Sequence, residues 1–175
     1  YHFEKYFTEA GSNEATVKID LVSTAVNAEH RLIKDRHALM AGVAMARDLV
    51  FEPANKLYPA EFVTRCKLLA DLGLEISVLD EAEMERLGMG ALLGVGQGSR
   101  RGSYLVAMHW RCGGDEAPIA LVGKGVCFDT GGISLKPAKG MEEMKMDGVY
   151  DMIYGAYFGP VGEVEPITIG MILVG

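Results

Sequence analysis

With 175 residues, about half of them apolar, the chain can bury the core of one domain, or of one domain plus part of another. Its formal net charge of -7 argues against nucleic acid as a main partner, because phosphate binding needs clustered Lys and Arg; it leaves carboxylates to serve divalent cations. Three cysteines, Cys66, Cys112 and Cys127, with no Cys-x-x-Cys pair, argue against a disulfide framework and for a reducing, cytoplasmic setting, and without an apolar run of about 18 residues no membrane-spanning helix is expected.

The sequence opens on Tyr1 rather than Met, with no signal-peptide pattern after it. Residues 1–8 mix aromatics and charges. Residues 15–22 alternate and read as a strand. Asn27 can cap a long helix to about Val50, with an apolar stripe of Leu32, Ile33, Leu39, Met40, Val43, Leu49 and Val50. Glu52-Pro-Ala-Asn55 ends it, and Pro59 suits the first turn of a second helix through Leu72. Residues 74–79 are strand-like, and Asp80-Glu-Ala-Glu83 has the form of a capping box for a short helix ending at Gly88.

Residues 94–102 read as a glycine-rich loop with two arginines, residues 104–110 as a strand, 111–116 as a turn and 118–122 as a further strand. Residues 123–141 show neither period and form the longest irregular stretch, where function often resides. Gly159-Pro160 should interrupt any helix there, and residues 167–174 read as a buried strand. Because that strand runs to the last residue, both ends are expected to be cut. Strands alternating with helices predict an α/β fold with a mixed, mostly parallel sheet and flanking helices.

The chemistry-bearing residues gather where the strand at 118–122 ends, and ligands in open α/β sheets sit beyond the carboxyl ends of strands. Lys124 and Asp129 lie close to that end, Gly125, Gly131 and Gly132 permit unusual backbone shapes, and Lys136 is held extended by Pro137. Asp147 follows Asp129 by 18 residues, so a loop can bring the two carboxylates together. Two carboxylates beside two lysines suit a hard metal or acid/base chemistry, although lysines and aspartates near glycine turns are ordinarily solvated surface groups.

Other motifs are weaker. Gly123-Lys124 lacks the Ser or Thr and the earlier glycine of a P-loop, and the glycines at 96 and 98 lack the third of a dinucleotide fingerprint. Arg100-Arg101 reads as a solvated pair and Cys127 as a packing residue. His2, His30, His37 and His109 have no ligand spacing, and the zinc motif His-Glu-x-x-His is absent. A metallopeptidase built on this sequence must use carboxylates and lysine.

Gly123-Lys-Gly-Val-Cys-Phe-Asp-Thr-Gly-Gly-Ile-Ser-Leu-Lys-Pro-Ala-Lys-Gly-Met-Glu-Glu-Met-Lys-Met-Asp147 resembles, without a gap, the signature region of the leucyl aminopeptidase (cytosol aminopeptidase) family. Upstream, Ala46-Arg-Asp-Leu-Val50 with Glu52-Pro-Ala-Asn55 is similar to that family's R-D-L-V-N-x-P-A-N, with Phe51 in place of the asparagine, and residues 1–8 resemble the end of its N-terminal domain. The resemblance implies residues 1–26 as the end of an N-terminal domain, 27–50 as a connecting helix and 51–175 as the first part of a catalytic domain. It implies an aminopeptidase that releases leucine-like N-terminal residues from peptides with two divalent ions (manganese, zinc or magnesium), and a homohexamer.

Residue by residue, the resemblance makes Lys124, Asp129 and Asp147 metal ligands, with Asp129 bridging both ions. It makes Lys136 the catalytic lysine facing the substrate carbonyl, and Met144 part of the pocket for the N-terminal side chain. The family's second ligand cluster, N-T-D-A-E-G-R, does not occur in this chain, and residues 148–160 depart from the family's M-G-G-A-A helix, with Asp151 as a competing ligand. The alternative reading is a catalytically incomplete fragment, or a non-catalytic relative with an assembly or DNA-binding role.

Overall fold

The computed structural model describes residues 1, 3–8, 18, 20, 22, 24, 26–111, 117–129, 131, 134–140 and 167–174, of which 26–32, 35 and 167–174 are described by backbone alone. The expected strand at 15–22 falls mostly outside the described residues, as does the turn at 111–116.

The long helix is present as α1, Val26–Phe51. Its apolar stripe is used unevenly: Leu49 is buried, whereas Ile33 and Met40 are exposed; Ala46, outside the stripe, is buried too. Among the described side chains of this helix, the buried ones lie in its last turns.

The second helix, α2, Pro59–Lys67, has Pro at its start, Glu61 in the first turn and Arg65 and Lys67 in the last. These charges complement the helix dipole. Pro59, Phe62, Val63 and Cys66 recur at helical spacing and form its buried face. Beyond Lys67 the chain tightens into a 3-10 turn, Leu68–Leu72, closed by Gly73 at φ 99°. The expected helix through Leu72 is thus α-helical only to Lys67. Glycine takes this left-handed conformation at little cost.

Strand β1 is Glu75–Leu79. Helix α3, Glu81–Arg86, carries the expected capping box: the Glu83 N–H donates to Asp80 Oδ1 at 2.9 Å and the Asp80 N–H to Glu83 Oε2 at 3.2 Å. It closes at Gly88, φ 73°, with the Met89 N–H donating back to the Met84 carbonyl at 3.0 Å, a left-handed helix stop. Helix α4, Gly90–Gly96, takes the first residues of what the sequence presents as a glycine-rich loop. Its three glycines hide it, since glycine is a poor helix former.

Strands β2, Tyr104–Trp110, and β4, Ile167–Val174, match their expected spans; β3, Ile119–Val126, runs four residues further than its apolar run of 118–122. The extension includes Gly123 and Gly125, whose registers on β4 are Met171 and Leu173. One four-stranded sheet results, in the order β1-β2-β4-β3. It is mixed: β3 and β4 are parallel, and the pairings of β2 with β1 and β4 are antiparallel. The fold is α/β, and among the described strands the parallel part is confined to the pair that carries the candidate site.

The core lies between α2, the end of α1 and β2. Leu49, Leu57, Phe62, Val63, Cys66, Val106, Met108 and Cys127 form one buried cluster. Burial pushes the Cys66 thiol up to about 12, which makes it a packing group rather than a nucleophile. Among the described residues no helix is long and apolar enough to cross a membrane.

Candidate active site

Strand β3 brings Lys124 to the carboxyl end of the parallel β3–β4 pair, with Ile172 as its register partner. One residue past the strand, Cys127 is buried in the core cluster, as its apolar neighbours imply. Its burial there anchors the start of the loop. Asp129 follows, with its side chain about half exposed.

Asp129 is held from two sides. The Gly131 N–H donates to Oδ1 at 2.7 Å and Lys136 Nζ donates to Oδ2 at 2.8 Å. The first contact is an Asx-type turn, the side chain taking the amide two residues on. The hydrogen bond from Lys136 pulls the carboxyl below its ordinary range. The Gly131 amide adds to this, burial opposes it, and the charges of Lys136 and Lys124 reinforce it. Asp129 is therefore an anion at neutral pH, within the field of both lysines.

The return of the chain from Asp129 to Lys136 depends on Gly131. Its φ is 104°, and a β-carbon there would lie 2.2 Å from the Ser134 carbonyl oxygen and 2.9 Å from the Lys136 nitrogen. Gly140, φ 82°, follows, and no described atom lies within 4 Å of where its β-carbon would be.

Of the residues singled out in the sequence, Asp129 and Lys136 meet in a hydrogen-bonded ion pair and Lys124 lies near enough for its charge to act on Asp129, while Met144 and Asp147 lie outside the described residues, as does Asp151. Among the described residues no three His, Cys, Asp or Glu side chains group as a metal site. The donor chemistry nonetheless fits a hard divalent cation. An ionised carboxylate has about four lone-pair sites; Gly131 and Lys136 use one on each oxygen, so each oxygen can take a further partner. A neutral lysine amine is a nitrogen donor at the same strand end.

Sequence reasoning passed over a second charged centre. Glu52, read only as a helix terminator, is 1% exposed and accepts hydrogen bonds from Lys5, Tyr6 and Arg65, the last at 2.9 Å. The only local signal was the mixture of aromatic and charged residues at 3–6, which does not name Glu52 as a partner. Phe51 takes part as well, stacking on Phe3 with ring centroids 5.5 Å apart and on Tyr1 at 6.4 Å.

Residues 44–150, more than half of the chain, match the model of the cytosol aminopeptidase family, catalytic domain. The chain belongs to the cytosol aminopeptidase family. A protein of Dinoroseobacter shibae named probable cytosol aminopeptidase is 57% identical over 136 residues, which cover 78% of this chain and 28% of that protein. Among solved structures, the bottromycin maturation enzyme BotP in complex with Mn aligns over 99% of this chain and 36% of its own, with TM-score 0.71 and 25% identity. The leucine aminopeptidase of Caenorhabditis elegans aligns over 78% of this chain and 29% of its own, with TM-score 0.68 and 28% identity. The chain thus spans about a third of the length of these proteins.

Proposed function

We propose that this chain carries the first half of the active site of a two-metal aminopeptidase, which releases leucine-like residues from the N-termini of peptides. The observation that carries the reading is the Lys136–Asp129 pair just past the carboxyl end of β3, with Lys124 on that strand close enough for its charge to act on Asp129. Family membership supports the peptidase class, and the Mn complex of BotP supports a divalent cation. On this reading residues 1–26 end an N-terminal domain, 27–50 connect, and 51–175 open the catalytic domain of a cytoplasmic homohexamer.

Lys124, Asp129 and Asp147 would hold the cations, with Asp129 shared between them. Bound divalent ions would supply Lewis-acid polarisation and a water of lowered pKa. The protein's own part is orientation and charge. Asp129 stays ionised because Lys136 and the Gly131 amide stabilise the anion. Lys136 places a cation where negative charge grows on the carbonyl oxygen during attack, and such a group acts most strongly when its position is fixed in advance. Met144 would line the pocket for the departing residue's side chain.

In the full-length protein, Asp129→Ala should remove leucyl-amide hydrolysis and lower metal content more than Asp147→Ala, because a shared ligand serves both ions. Equal metal loss in the two variants, measured by elemental analysis, would count against the shared role.

A further inference from the structure

We propose that Gly131 is the positioning residue of this site: its amide fixes Asp129, and its missing side chain lets the chain fold back to set Lys136 on the same carboxylate. The inference rests on the reading of Asp129 and Lys136 given above and adds the residue that joins them.

Two independent contacts meet at this one backbone unit. The Gly131 N–H donates to Asp129 Oδ1 at 2.7 Å, which leaves Oδ2 facing Lys136 Nζ at 2.8 Å. On its other side, the space a β-carbon would fill holds the Ser134 carbonyl oxygen at 2.2 Å, the Lys136 nitrogen at 2.9 Å and Lys136 Cγ at 3.0 Å. Real β-carbons do not approach backbone this closely, so any side chain must push residues 134–136 away. The φ of 104° adds a second restriction that L-residues resist.

The two restrictions predict different behaviour. Asparagine tolerates positive φ better than other L-residues but still carries a β-carbon. If conformation alone mattered, Gly131→Asn would damage the site less than Gly131→Ala; if close approach matters, the two fail alike. Gly140 supplies the comparison: its φ is positive too, but no described atom lies within 4 Å of the β-carbon position, so Gly140→Asn, although strained, should disturb the site less than Gly131→Asn.

The test uses the full-length protein and reads metal affinity by titration with Mn(II), together with kcat and KM on a leucyl chromogenic amide. Gly131→Ala and Gly131→Asn should each lose about 10- to 100-fold in metal affinity, the usual effect of freeing a ligand from its supporting contact. Each should also lose about 100-fold in kcat through misplacement of Lys136, with KM little changed. Native affinity and kcat in Gly131→Ala overturn the proposal. So does rescue by Gly131→Asn, or a lower Tm with the metal affinity intact.

Should neither variant fold, hydrogen exchange followed by mass spectrometry replaces them. Asp129→Ala should speed exchange of the Gly131 amide about tenfold, because a hydrogen bond to a charged group is lost, and unchanged exchange overturns the proposal. Failure of the underlying reading looks different. Metal and turnover retained by Asp129→Ala would remove the ligand role itself, whereas loss there with both kept in Gly131→Ala removes only the positioning role.

Discussion

Lys124 and Lys136 stand on either side of Asp129 in the chain, and the proposed function asks opposite things of them. A lysine ligates a metal only as the neutral amine, because an ammonium has no lone pair; a lysine that stabilises an oxyanion must carry its charge. Arginine separates the two roles, since guanidinium stays protonated and cannot coordinate. Lys124→Arg should therefore lose metal, seen as lower metal content in the full-length protein. Lys136→Arg should keep its metal and lose about 10²- to 10³-fold in kcat, the range for losing one well-placed oxyanion group. Native metal binding by Lys124→Arg would show that the ligand role is misassigned. The Lys136–Asp129 ion pair is partly exposed, so its strength as a bare pair is at most about 1 kcal/mol. Its value lies in placing both groups.

Elements legible in the sequence were those whose ends carry their own chemistry. The capping box at Asp80 and Glu83, Pro59 at the start of α2, and the apolar runs of β2 and β4 all appear as expected. Elements fixed by tertiary context were not legible: glycine-rich α4, and the extension of β3 through Gly123 and Gly125, which rests on pairing with β4. The Glu52 centre belongs to the same class, because its partners at residues 5 and 6 are distant in sequence. Burial pushes the Glu52 carboxyl up, but the hydrogen bonds from Lys5, Tyr6 and Arg65 outweigh this and hold it at about 2, against an ordinary 4.5. A depressed carboxylate contributes stability that is complete above its unfolded value and lost as pH falls through the folded one. The wild type should therefore lose Tm progressively between about pH 4.5 and about pH 2. Glu52→Gln should lower stability at neutral pH by about 1–3 kcal/mol and flatten that acid limb. An unchanged acid limb in Glu52→Gln would assign the acid sensitivity to other groups.

At the scale of the whole molecule, the proposed reading gives the chain one part of a catalytic centre. Three of its candidate residues were legible as a cluster because a strand end, glycine turns and a Lys-Pro step compress them into a short stretch. The backbone reversal that joins them was legible only as a permissive glycine; its cause, a carbonyl seated where a side chain would be, is a property of the fold. A site with part of its carboxylates cannot position two cations, so the 175-residue chain by itself should show no peptidase turnover. Clean hydrolysis of a leucyl amide by that chain alone would refute this. The most direct measurement for the central claim is leucyl-amide turnover by the full-length protein, assayed as purified, after chelation and dialysis, and after return of Mn(II) or Zn(II). The account predicts activity that disappears on chelation and returns with the divalent ion; turnover untouched by chelation, or absent with every divalent ion supplied, would contradict it.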